Sequence, residues 1–127
     1  MQLPTSAQNT NPDKTIYFGK SFKLNLLDDS GEVATSKPIG KNPMVTYDKF
    51  FLSYTIVYET ENGGLSISHL KYISTDKSGM LRMKDDYDKM CLVTDKIAEF
   101  GKLIFVYEVK AGDYMAMCII EGLELEK

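Results

Sequence analysis

The nucleophilic chemistry open to this chain depends on one histidine, His69, and two cysteines, Cys91 and Cys118. A cysteine attacks as its thiolate, which needs an electropositive and partly exposed setting. Both cysteines lie in apolar segments that favour the protonated thiol, so they read as buried free thiols and His69 as a structural or surface residue. Paired Cys/His zinc spacing and the glycine-rich phosphate motifs are missing; Gly40-Lys41 lacks the preceding glycine and following hydroxyl of a phosphate loop. Asp85, Asp86 and Asp88 could offer oxygen ligands to a divalent cation, but they also suit a helix start, where negative charge meets free N–H groups. Asp28-Asp29-Ser30-Gly31 is half of a calcium loop without the alternating ligands or the distant glutamate. Glu108-Val109-Lys110 has a spacing found in some metal-dependent nucleases, with no matching upstream aspartate on a strand. The residues therefore predict no enzyme, no catalytic residue, no metal and no cofactor.

Binding chemistry is better represented. Eight Tyr and six Phe recur beside lysines, in Lys14–Lys23, Tyr47–Phe51 and Lys71-Tyr72. Rings that stack on bases and ammonium groups that follow phosphates make a single-strand-binding surface. That reading assigns Tyr17, Lys20, Lys23, Lys37, Lys41, Lys49 and Phe51 to a nucleic-acid site, with Tyr17 and Phe51 off the regular apolar register of their strands. The competing reading puts most rings in the core and leaves the lysines as solvated neighbours.

The elements that must position these groups are mostly strands. Ile16, Phe18, Phe22, Leu24 and Leu26 repeat every second residue, the period of a half-buried strand. A short strand is expected over 32–35, and the prolines of Lys37–Pro43 predict an exposed loop. Phe50, Leu52, Tyr54, Ile56 and Tyr58 mark another strand, and Asn62-Gly63 a hairpin turn. The apolar phase of the returning strand shifts from Leu65 and Ile67 to Leu70 and Tyr72, which predicts a bend near His69. Residues 86–100 fit an amphipathic helix, with Tyr87, Met90, Val93, Ile97 and Phe100 on one face and Leu92 alone on the polar side. A hairpin over Leu103–Glu121 ends the pattern. The expected fold is α+β: about six mostly antiparallel strands in a curved sheet or partial barrel, with one helix before the C-terminal hairpin.

Length and composition add outer limits. One domain over 14–127, preceded by a flexible polar arm at 1–13, is the organisation expected of 127 residues. A formal charge of −3, with Arg82 the one arginine, gives no basic stripe for duplex DNA. Unpaired thiols, no long apolar run and no secretory leader predict a soluble, cytoplasmic protein.

The run Met80-Leu81-Arg82-Met83-Lys84-Asp85-Asp86-Tyr87-Asp88-Lys89-Met90, entering the expected helix, resembles the strand-to-helix corner of PUR-type single-strand-binding folds. The resemblance implies single-stranded nucleic acid as a ligand. Three functions follow from the sequence. The first is a non-catalytic protein-interaction or assembly module that contacts a partner or a second copy through Phe51, Leu92 or a sheet edge. The second is single-stranded nucleic-acid binding, and the third a small-molecule carrier.

Overall fold

In the computed structural model, residues 13–126 are described. The arm expected over 1–13 lies outside them except for Asp13. Ten strands follow one another: β1 (Lys14–Phe18), β2 (Ser21–Leu27), β3 (Val33–Asp48), β4 (Ser53–Glu59), β5 (Leu65–Thr75), β6 (Leu81–Lys84), β7 (Met90–Lys96), β8 (Lys102–Tyr107), β9 (Met115–Glu121) and β10 (Glu124–Leu125). One short helix, α1 (Ile97–Phe100), joins β7 to β8. Each strand from β2 to β9 pairs antiparallel with the next, and β9 pairs back to β2, so eight strands close a barrel. β1 continues β2 along the same edge of β3 and carries β10 on its other side.

This corrects the α+β expectation, chiefly at 86–100. Cys91 and Val93 point inward at alternate positions and Leu92 points out, which is strand periodicity. Leu92, the anomaly on the helical wheel, is ordinary on a strand. Asp85 does not cap a helix: its Oδ1 accepts the backbone N–H groups of Tyr87 (2.8 Å) and Lys89 (2.9 Å), closing a hairpin turn. Only Ile97–Phe100 completes a helical turn, stopped by Gly101 at φ 65°. The strand-to-helix corner suggested by the PUR-type resemblance is therefore a strand–turn–strand.

Three turns repeat one design. Asp28, Asp76 and Asp85 each accept the N–H groups two and four residues on, and the residue three on takes positive φ (Gly31 84°, Gly79 89°, Asp88 62°). At two of the three turns, hydrogen bonds from Ser30 and Ser78, with the turn amides, keep Asp28 and Asp76 below the usual carboxylate range.

The loop expected over 37–43 is also strand. β3 runs straight through it, relieved by a bulge between Lys41 and Met44 where Asn42 takes φ 49°. β4 meets only the second half of β3, from Lys41 to Asp48, so among the described residues Val33–Pro38 projects with its far edge unpaired. Lys37 and Pro38 lie there, residue types that discourage another strand from adding. The apolar residues of Phe50-Phe51-Leu52 form the β3–β4 turn rather than a strand start.

Because turns alternate between the ends of an antiparallel meander, 28–32, 60–64, 85–89 and 108–114 surround one end, here called the mouth. Turns 49–52, 76–80 and 97–101 surround the far end. Val45, Tyr54, Ile56, Leu70, Met83, Val93, Leu103 and Ile120 are buried at the centre and far side of the barrel.

Candidate ligand cavity

Inside the barrel the far end is occupied by Tyr54, and a smaller space of about 300 Å³ lies outside it between α1 and β10. Tyr54 is 1% exposed, its hydroxyl donates to Asp95 Oδ2 at 2.5 Å, and its ring meets Tyr47 at 4.9 Å. Burial first, then the bond to Asp95, pushes the Tyr54 phenol far above its ordinary value. Among the described residues, no side chain fills the mouth end. A cavity of about 660 Å³ opens there, lined along the strands by Phe22, Ile39, Ile56, Tyr58, Leu70, Phe105 and Tyr107.

The origin of this space lies in β5 and β9. Ser68 lines the cavity from β5, and Ala116 and Cys118 line it from β9. Closing a barrel end requires large inward side chains; these three positions carry small ones. The bend predicted at His69 is absent. Instead β5 alternates regularly, with Ser66, Ser68, Leu70 and Tyr72 facing in. Leu65 (74% exposed) and Ile67 (57%) face solvent. β5 inverts the usual in–out polarity near the mouth, and the register shift sits further on, between Tyr72 and Ser74.

Four rings make a continuous arc on the wall: Tyr58 to Phe22 (5.0 Å, edge-on), Phe22 to Phe105 (6.2 Å), and Phe105 to Tyr107 (6.1 Å). Gly40 makes the arc possible. It pairs directly with Phe22, and any Cβ on it would overlap the Tyr58 ring. Tyr107 donates its hydroxyl to Asp85 Oδ2 at 2.9 Å, which joins the arc to the β6–β7 turn. Burial, reinforced by that bond, pushes the Tyr107 phenol up.

At the rim, Asp86 replaces a missing strand partner for β5. Its Oδ2 accepts the His69 backbone N–H at 3.0 Å and its Oδ1 contacts His69 Nδ1 at 3.0 Å. Lys110 reaches Asp29 at 2.8 Å, tying the β8–β9 turn to the β2–β3 turn, and Arg82 holds Glu108 at 2.9 Å. His69 is thus a rim residue, and Glu108 of the Glu108-Val109-Lys110 run is an ion-pair partner. Among the described residues, no group of three or more His, Cys, Asp or Glu is arranged to hold a metal ion.

Both cysteines are free, buried and inward-facing. Burial, with a smaller contribution from the charge of Asp85, pushes each thiol up to about 12. Cys118 therefore meets the cavity as a small apolar surface rather than a nucleophile.

The residues assigned to nucleic acid from sequence lie elsewhere. Lys20, Lys23, Lys37 and Lys41 are exposed along β2, β3 and the link before them. Lys49 and Phe51 sit on a far-end turn, where Phe51 (68% exposed) packs edge-on against Phe50 (71%). Tyr17 is half-buried, and burial and the charge of Asp95 raise its phenol. Leu92 is half-buried on the outer wall, paired across strands with Val106 and Arg82. None of these residues lines the mouth cavity. The sequence reading missed the cavity residues themselves. The visible signal was the serine pair Ser66 and Ser68 alternating with Leu65 and Ile67.

No family model, curated protein or solved structure matches the chain. Among the described residues, no helix is long and apolar enough to cross a membrane.

Proposed function

We propose that this protein binds a small, largely apolar molecule inside the mouth of its barrel. The observation that carries the reading is the contrast between the two ends of one interior. The far end is packed with large side chains, while Ser68, Ala116 and Cys118 leave about 660 Å³ at the mouth. Ligand pockets typically occupy about 300–1,000 Å³ with mainly apolar walls and a few convergent polar groups. Here the polar groups are the Tyr58 and Tyr107 phenols, the Ser68 hydroxyl and the Asp85 carboxylate, with Asp86, Asp88, Lys89, Glu108 and Lys110 on the surrounding turns. Binding rather than turnover is favoured because the one thiol on the wall is held protonated. The test is titration with the neutral fluorophore N-phenyl-1-naphthylamine, read without interference because the chain has no tryptophan. A saturable rise in emission with one molecule per chain supports the reading. No rise, or a linear and unsaturable one, sinks it.

Contact with a second copy of the chain is a second reading, favoured by the 33–36 part of the projecting β3 edge, which lies before the protecting Lys37 and Pro38 and has no partner among the described residues. Sedimentation velocity over a wide concentration range tests it. Dimers abolished by Val33→Lys would support an edge-to-edge contact, and a monomer throughout would remove it.

A further inference from the structure

Within the proposed cavity, the geometry points to a ligand with a protonated amine head on an apolar, preferably aromatic body. The inference rests on the small-molecule reading and specifies its chemistry.

Two features of the wall converge on a cation. The first is the arc Tyr58–Phe22–Phe105–Tyr107, four rings bordering one space. An aromatic face carries negative potential and attracts an ammonium group within about 6 Å of its centre. The second is Asp85 at the end of that arc. Its Oδ1 is used by two turn amides, while Oδ2 accepts one bond, from Tyr107. A carboxylate oxygen has two acceptor sites, so Oδ2 can take a second donor without breaking the first bond. Tyr107 joins the two features, belonging to the arc through its ring and to the carboxylate through its hydroxyl.

The charges around the cavity favour the same sign. Its lining holds four carboxylates (Asp85, Asp86, Asp88, Glu108) and two ammonium groups (Lys89, Lys110). Partners outside the lining leave the balance unchanged, because Asp29 engages Lys110 and Arg82 engages Glu108, and all six groups stand on the two mouth turns 85–89 and 108–114. The negative potential of Asp85 also reaches the interior, where it adds to the burial that keeps Cys91 and Cys118 protonated. A ligand carboxylate entering beside Asp85 would meet like charge in a low-dielectric setting, and a neutral head would leave the oxygen with a weaker partner.

The test compares three ligands of one length that differ at the head: 4-phenylbutylamine, 4-phenylbutan-1-ol and 4-phenylbutyrate. Each displaces N-phenyl-1-naphthylamine from the wild-type chain at neutral pH. The expected order is amine, alcohol, carboxylate, with the amine about tenfold tighter than the alcohol, because both heads donate to the Asp85 carboxylate but only the ammonium adds its own charge to that bond and to the rings. The amine should weaken as salt is added while the alcohol does not. Asp85→Asn should lower the amine preference severalfold, leaving the part that the rings supply. An alcohol or carboxylate binding as tightly as the amine would overturn the inference while leaving the small-molecule reading intact. So would amine binding insensitive to salt, or an undiminished amine preference in folded Asp85→Asn protein. The salt series needs no variant, so it decides the matter even if Asp85→Asn does not fold. Failure of the fluorophore itself to bind would instead overturn the small-molecule reading, and this inference with it.

Discussion

Ala116→Leu should stabilise the protein and weaken ligand binding together, an unusual pairing for a substitution inside a barrel. Ala116 lines the cavity from β9, beside Cys118 and opposite Leu26 across the ladder. The change adds three carbons to a space of about 660 Å³ that no described side chain fills. It would remove roughly 70 Å² of apolar surface from water, worth about 1.7 kcal/mol at ~25 cal/mol per Å². Ordering the leucine costs about 0.5–1 kcal/mol. The net gain is about 1 kcal/mol, or a Tm increase of about 4 °C for a chain of this size. Ligand contacts equal to about two methylenes are lost to the new side chain, so affinity for N-phenyl-1-naphthylamine should fall about tenfold or more. Val93→Leu is the contrast. Val93 is 1% exposed in the packed part of the barrel and does not border the cavity, so extra bulk there should cost about 1–3 kcal/mol. Urea unfolding followed by circular dichroism gives both stabilities. Opposite signs at the two positions support the account. Ala116→Leu as destabilising as Val93→Leu, or with unchanged fluorophore affinity, would refute it.

Three further outcomes follow from particular contacts. Gly40→Ala forces a Cβ against the Tyr58 ring and to 2.9 Å from the Glu59 carbonyl oxygen, so it should cost about 2–3 kcal/mol in urea unfolding and weaken fluorophore binding as Tyr58 leaves the arc. Tyr54→Phe removes the bond to Asp95 at the far end and should cost about 1 kcal/mol with fluorophore affinity unchanged; a large change in affinity would mean the two ends are coupled. The thiols give a pH dependence whose sign is fixed by protons retained in the folded state. Below the ordinary thiol value of 9.0 both states keep the proton, and between 9.0 and about 12 only the folded state does. Stability should therefore fall through that window by about 1.4 kcal/mol per pH unit for each thiol, and Cys118→Ala should flatten the slope. In the same terms, a thiol reagent at pH 8 should label neither cysteine until the chain unfolds.

Several strands were legible because alternation is a local property: Phe22, Leu24, Tyr54 and Ile56 announce their inward faces by spacing alone, whereas both alternating sets around Cys118 are apolar. Residues 86–100 were misread because Tyr87, Met90, Val93, Ile97 and Phe100 satisfy a helical period over a longer stretch than the alternation of Cys91 and Val93. Cross-strand pairing with β6 and β8, a long-range effect, selects the strand. The prolines of 37–43 suggested a loop, but Pro38 lies where β3 has no β4 partner and Pro43 sits within the bulge, positions that tolerate a missing donor. The cavity was hidden for a different reason. An inward serine marks a void only once closure of the barrel is known, and a reading that assumes apolar residues face the core assigns Leu65 and Ile67 to the wrong side. Asp85 was noticed for its charge and credited to a helix start; its place beside Tyr107 depends on β6, β7 and β8 being neighbours.

The site itself can be located by isotope-filtered NOE spectroscopy on labelled protein saturated with unlabelled N-phenyl-1-naphthylamine. The account predicts intermolecular NOEs from the bound rings to the side chains of Phe22, Phe105, Ala116 and Cys118 at the mouth. NOEs confined to Phe50, Phe51 and Phe100 on the far-end turns, with the mouth residues silent, would contradict it.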